Sequence, residues 1–287
     1  MNFRTDLALE VKERLSGDIN GIDVEEYQKG DARITRMKVL NSDGEEAIGR
    51  PMGIYITVEV PPLSDDSVAS DEQIEAIRDE IVPLMPQKGT VLVVGLGNTD
   101  ITPDALGPKT ASGVLATRHI SEEISRSAGL GNLRSVAVIS PGVLGQTGIE
   151  TGEIIRGMVD KTNPSCVIAI DALASANVSR IGCTVQITNT GINPGSGVGN
   201  NRLGITEKTV GVPVISIGVP TVVDAVTLAN DLTGHECKQD VEPRGAHMIV
   251  TPHEIDLLIS RAAKLISQSI NYALQPHIEP DLMLELL

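Results

Sequence analysis

The sequence predicts an α/β fold, three-layered as α/β/α around a largely parallel sheet, and three observations predict it. Four short, unbroken apolar runs rich in β-branched residues have the pattern of strands covered on both faces: TVLVVGLG (90–97), SVAVIS (135–140), CVIAID (166–171) and VPVISIGV (212–219). Segments with helical spacing of Ile, Leu and Val lie between or after them. Aromatic residues are nearly absent, with one Phe, three Tyr and no Trp, so the core has to be packed from Val, Ile, Leu and Ala around abundant Gly.

Taken in order, RITRMKVL (33–40) and IYITVEV (54–60) alternate as strands with one covered face, and NSDGEEAIGRP between them has turn chemistry. After the breaker PPLSDD, Ser70 and Gln73 form a capping box for a helix carrying Ile74, Ile77 and Ile81 on one face, closed by Pro83 and Pro86. A helix is expected from Pro108 to about Ser127, with Val114, Leu115, Ile120 and Ile124. Another, His253 to Leu274, sets Ile255, Leu258, Ala262, Leu265 and Ile266 on one stripe, with Thr251 as cap, Pro252 in the first turn and Glu254 after it. The longest irregular stretch, NTGINPGSGVGNNRLGIT (189–206), contains neither GxxxxGK[ST] nor GxGxxG; a mobile loop near the active site or a subunit contact is expected there. No internal repeat or long linker divides the chain. A single domain is expected, with N-terminal strands and a helix to residue 89 and an α/β core over 90–287.

Composition excludes some functions. A formal charge of -15 and the lack of aromatic platforms argue against direct nucleic-acid binding. No run approaches eighteen apolar residues and no signal-like segment starts the chain, so no membrane association and a cytoplasmic location are expected. Cys166, Cys183 and Cys237 lack CxxC spacing and read as plain thiols of a reducing compartment.

Ligands of open parallel sheets bind beyond the carboxyl ends of the strands, and two acids fall there. Asp171 ends CVIAID, and Asp104 follows VLVVGLGNTDITP; neither has a cation beside it, Lys109 being the nearest to Asp104. Two carboxylates in one poorly hydrated pocket separate their pKa values and can share a proton, one activating water and the other protonating a leaving amine. The alternatives on spacing alone are a helix cap at Asp104 and a strand-end turn at Asp171. His235, Glu236 and Cys237 are contiguous and not spaced for zinc, and no HExxH occurs. His119, His247 and His253 stand singly, Ser140 lacks a GxSxG elbow, and Cys166 reads as core. No metal and no cofactor are therefore expected. The N-terminal RTDLALE reads acid, apolar, Ala, apolar, acid, the form of a protease recognition sequence.

RTDLALE, VGLGNTDITPDALGP, SPGVLGQTGIET, VIAIDALA, TNTGINPGSGVGNNR and GVPTVVDA together resemble, essentially end to end, the germination protease family of endospore-forming bacteria. The resemblance implies an endopeptidase that degrades small acid-soluble spore proteins at germination, with a fold like that of the hydrogenase maturation endopeptidases. It implies two essential aspartates, which fall on Asp104 and Asp171. It further implies a self-processing zymogen, a homo-oligomer, a spore-core location, and contact with nucleic acid only through its substrates. Family substrates are cut after an acid and before an apolar residue followed by Ala, so the expected cut lies between Asp6 and Leu7, with residues 1–6 as propeptide. Phe3 stands where family substrates favour a further acid, a departure expected to slow processing. Acidic pH, by relieving carboxylate repulsion, is an expected trigger. Two other readings stand beside this one. The first is a metal-dependent peptidase of the hydrogenase-maturation type, which lacks a matching acid–His pair here. The second is a non-enzymatic small-molecule or nucleotide-binding module built on the glycine-rich loop.

Overall fold

The computed structural model describes residues 4–15, 17, 19–65, 70–195, 202–234 and 248–286. In chain order its elements are α1 (Ala8–Arg14), β1 (Ile22–Lys29), β2 (Ala32–Val39), α2 (Ser42–Ile48), β3 (Gly53–Glu59), α3 (Asp71–Ile81), β4 (Val91–Gly95), α4 (Leu106–Ser112) and α5 (Glu122–Ser127). They continue as β5 (Val136–Ile139), α6 (Leu144–Thr147), α7 (Thr151–Thr162), β6 (Cys166–Ala174), β7 (Thr184–Thr188), α8 (Glu207–Val210), β8 (Val214–Asp224), α9 (Ala225–Thr233), β9 (Ile249–Val250), α10 (Ile255–Leu274) and α11 (Pro280–Glu285).

One sheet runs β1-β2-β3-β7-β8-β6-β4-β5, with β9 added to β8. The four continuous apolar runs form its parallel half: β5 on β4, β4 on β6, β6 on β8. The two alternating segments, β2 and β3, lie in an antiparallel wing joined through β7. Helices cover both faces, as the α/β/α class requires. Val91, Val93, Cys166, Ile168, Ile215 and Ile217 face α3, α4 and α10 on one side, while Leu92, Val94, Val167 and Ala169 face α7 and α8 on the other. On that second side the wing is covered by α1 and α2, around Ala8, Met37, Ile48 and Tyr55. Among the described residues, no helix is long and apolar enough to cross a membrane.

The α3 capping box forms as expected, with Ser70 Oγ accepting from the Gln73 amide and the Gln73 side chain accepting from the Ser70 amide. Three expectations are corrected. The single helix over 108–127 is two, because the amides of Leu115, Thr117 and Arg118 bond elsewhere. Asn271 of α10 clamps this segment, accepting from the Leu115 amide at 2.9 Å and donating to the Gly113 carbonyl at 2.9 Å, and the Thr117 amide turns to β5. The segment 41–51 is not only a turn: Asn41 accepts from the Gly44 amide and caps α2, which Gly49 closes with φ 61°. Thr251 does not cap α10; its hydroxyl donates to the Thr221 carbonyl at 2.8 Å, and the helix begins after Glu254.

The first turn of α4 packs backbone to backbone on the sheet. A Cβ at Gly107 would lie 2.2 Å from the Leu96 carbonyl oxygen and 2.5 Å from that of Ile170, and one at Gly95 would lie 2.2 Å from the Gly107 oxygen. Nothing flexible is there to yield. Gly157, exposed within α7, has open space around it. Gly107→Ala is therefore expected to destabilise the fold by about 2 kcal/mol or more, whereas Gly157→Ala stabilises it by roughly 0.5–1 kcal/mol. Urea unfolding of the two variants checks this; equal effects would contradict the close packing.

Candidate active site

The order of the parallel strands creates the site. From β4 the chain crosses to β5 on one side and then to β6 on the other, so the crevice beyond the carboxyl ends of β4 and β6 is a topological switch point. Asp104 follows β4 in a 3-10 turn, Thr102–Asp104, and Asp171 lies within β6, in register with Gly218 of β8. Strand alternation turns Asp171 to the face of Val167 and Ala169, past the cover that α7 and α8 give those residues.

The Asp104 turn is fixed from several sides. Its carboxylate Oδ2 accepts from the Asn98 amide at 2.8 Å, and its own amide donates to the Ile101 carbonyl at 2.8 Å. The Thr221 hydroxyl of β8 donates to the Pro103 carbonyl at 2.9 Å. Gly97 permits the approach: at φ 115°, a Cβ there would lie 2.0 Å from the Asp104 carbonyl oxygen. Asp171 is 5% exposed, and its Oδ1 accepts from the Ala172 amide at 2.9 Å.

Asp104 and Asp171 line one cavity of about 470 Å³ together with Asp6. Burial pushes the Asp171 carboxyl well above the usual carboxylate range, the charges of Asp104 and Asp6 raise it further, and the Ala172 amide pulls weakly the other way. Asp104 is half-buried and also raised, by loss of hydration, against the lowering effect of the Asn98 amide.

The third acid comes from the chain's own start. The Asp6 amide donates to the Ala174 carbonyl at 2.9 Å, and the Ala174 amide donates to Asp6 Oδ2 at 2.8 Å. Arg50 holds the Thr5 carbonyl at 2.7 Å, and Arg4 meets Asp224 at 3.5 Å. Leu7 is fully buried, and α1 starts directly after it. The structure thus unites Asp6, Asp104 and Asp171 and seats Leu7 beside them in sequence. Arg50 and the Ala174 backbone escape sequence reasoning. A backbone amide leaves no mark in a sequence, and Arg50 stands between a helix end and a proline without a motif.

The other candidates stay apart. Cys166 is fully buried in β6, Ser140, His119 and His253 are exposed, and His253 has Glu254 at 3.7 Å. His235, Glu236, Cys237, His247 and Phe3 lie outside the described residues. The legs of the glycine-rich stretch pair through Ile192 and Ile205, and Pro194, Gly195, Arg202 and Leu203 line the cavity. Among the described residues, no group of three or more His, Cys, Asp or Glu side chains is arranged to hold a metal ion.

The family model for germination protease matches residues 4–239. The germination protease of Caldanaerobacter subterraneus subsp. tengcongensis is 44% identical over all of this chain and 98% of its own length. That of Clostridium tetani is 42% identical over 97% of each chain. That of Bacillus pumilus is 35% identical over 98% of this chain and 95% of its own. Among solved structures, the NiFe hydrogenase maturation protease HycI of Thermococcus kodakarensis aligns with 67% of this chain and 98% of its own at 18% identity and a TM-score of 0.37, too loose a likeness to argue from. By the family model and by full-length relatives alike, this chain belongs to the germination protease family of peptidases.

Proposed function

We propose that the chain is an aspartic-type endopeptidase made as a zymogen. It removes residues 1–6 by cutting between Asp6 and Leu7, and then cuts small acid-soluble spore proteins after acidic residues during germination. The observation that carries this reading is the course of the chain's own N-terminal segment, which brings Asp6 into the cavity of Asp104 and Asp171 and pairs it with the end of β6. The same reading makes the enzyme a homo-oligomer of the spore core that meets nucleic acid only through its substrates.

In this mechanism Asp171, the more deeply buried acid, carries the proton, and Asp104 is ionised. The Asp104 carboxylate takes a proton from water as the water oxygen attacks the carbonyl carbon of Asp6, and Asp171 protonates the carbonyl oxygen. Breakage of the C–N bond then sends the proton held by Asp104 to the Leu7 nitrogen, and the hydroxyl proton returns to Asp171. A macroscopic pair of pKa values belongs to the two acids jointly, so activity has a bell-shaped pH dependence. Burial raises both acids and the charge of Asp104 raises Asp171 further, so the limb at which Asp171 loses its proton lies above the ordinary carboxylate range. Acidification toward that window returns the proton that Asp171 needs, which makes acid a trigger for processing.

Asp104→Asn and Asp171→Asn are each expected to lower self-cleavage and peptide cleavage by about a hundredfold or more with the fold retained on circular dichroism. Full activity of either variant would remove the dyad. The stability effect has a definite sign. The contribution of Asp171 is present in full below its unfolded pKa and is lost as pH rises through its raised folded pKa. Asp171→Asn is thus expected to stabilise the protein at neutral pH and to flatten its stability against pH, as read by denaturant midpoints; a lower midpoint at neutral pH would contradict it. Intact-mass measurement after mild acidification should show loss of residues 1–6. A different new N-terminus would displace the cut from Asp6.

A further inference from the structure

A second, smaller cavity of about 80 Å³ adjoins the active site, and Asp6, Asp171, Leu173 and Gly195 belong to the walls of both. One wall is the sheet face that bears Asp171. Asp171 of β6 pairs with Gly218 of β8, Gly218 with Gln186 of β7, and Ser216 with Thr188. Strand alternation therefore turns Asp171, Gln186, Thr188 and Ser216 to one face, and all four line this cavity. Polar side chains at the centre of a sheet are costly unless each finds a partner.

Most of them do. The Gln186 side chain donates to the Ile56 carbonyl at 3.0 Å, and the Thr188 hydroxyl oxygen accepts from the Thr190 amide at 3.2 Å. Ser216 does not: it is 3% exposed, and among the described residues its hydroxyl has no hydrogen-bond partner. Asp171 commits Oδ1 to the Ala172 amide, which leaves Oδ2 for another donor. Ser216 stands two residues before the partner of Asp171, so the two side chains leave the sheet about 8 Å apart. A direct hydrogen bond is out of reach at that separation. One molecule of water between them is not, because a serine hydroxyl swings among three staggered positions at little cost. A polar cavity of this size has room for it.

We infer that this cavity is a binding site for an internal water that bridges the Ser216 hydroxyl and Asp171 Oδ2, which makes Ser216 a positioning residue for Asp171. With Oδ1 held by the Ala172 amide and Oδ2 by the water, the carboxyl plane is fixed at both ends. The inference rests on the peptidase reading above for what Asp171 does. In that mechanism Asp171 gives its proton to the substrate carbonyl, and the water donates a hydrogen bond to the carboxylate left behind. The other charged or titratable groups around the two cavities are Asp6, Arg50, Tyr55 and Asp104, together with Glu150 and Arg202, which meet at 3.7 Å. A substitution at position 216 leaves all of them in place.

The test compares Ser216→Val with Ser216→Thr, two side chains of one shape that differ by a hydroxyl. In the full-length chain, the NMR titration midpoint of the Asp171 carboxyl carbon is expected to lie about half a pH unit or more higher in Ser216→Val than in Ser216→Thr. Losing a hydrogen bond to the ionised form disfavours that form. Ser216→Ala, which adds no bulk, is expected to move the midpoint the same way by a smaller step. Equal midpoints in the unmodified chain and all three variants would overturn the bridge and leave Ser216 a hydroxyl buried without a role. The carboxyl is read directly, so the outcome stands apart from cleavage. A shifted midpoint in a chain that cuts no peptide keeps the water and removes the peptidase reading. An unshifted midpoint in variants that cut as the unmodified chain does removes the water alone.

Discussion

The repulsion among Asp6, Asp104 and Asp171 in one thinly hydrated cavity is the interaction on which the rest of the molecule depends. Burial strips Asp171 of its hydration, the charges of Asp104 and Asp6 act more strongly there than in water, and Asp171 answers by holding its proton well above the usual range. The two acids differ in burial: Asp171 lies deep in β6, and Asp104 is half-buried on a turn. In the proposed mechanism that difference divides the labour between them.

Holding like charges together requires a scaffold that does not give way. Glycine supplies it at three positions, where Gly95, Gly97 and Gly107 allow the turn bearing Asp104 and the first turn of α4 to sit directly on the backbone of β4 and β6. The Leu96 amide completes the seam by donating to the Ile170 carbonyl at 2.8 Å, one residue before Asp171. The N-terminal segment uses the same carboxyl end of β6, Ala174 and the residues that follow it to Asn177, as its anchor. One strand and its exit therefore carry an acid of the proposed dyad, a pairing edge for the segment that reaches the site, and the donors that hold Glu10.

Much of this was legible in the amino-acid sequence, for physical reasons that differ by element. Strands buried on both faces must be apolar throughout, so β4, β6 and β8 announce themselves, while β5 shares the apolar pattern although it is an edge strand buried only at Val136; strand-end acids such as Asp104 and Asp171 follow from β4 and β6. β1 was not legible because an edge strand is protected by charge, and IDVEEYQK reads as loop. β7, TVQIT, is wholly buried yet polar, because Gln186 satisfies itself by donating to the Ile56 carbonyl at 3.0 Å across the sheet. The break between α4 and α5 depends on Asn271, more than a hundred residues away in sequence. At the site, the donors that hold Asp6 and Glu10 are mostly backbone amides, which every residue but Pro possesses and no pattern can flag.

The central claim concerns a proton, and it is tested most directly by following the carboxyl carbon of Asp171 by NMR as pH is varied in the full-length chain. The account predicts that Asp171 titrates well above the ordinary carboxylate range, and that its midpoint falls when the neighbouring charges are removed one at a time by Asp6→Asn and Asp104→Asn. A midpoint in the ordinary range, indifferent to both substitutions, would contradict it.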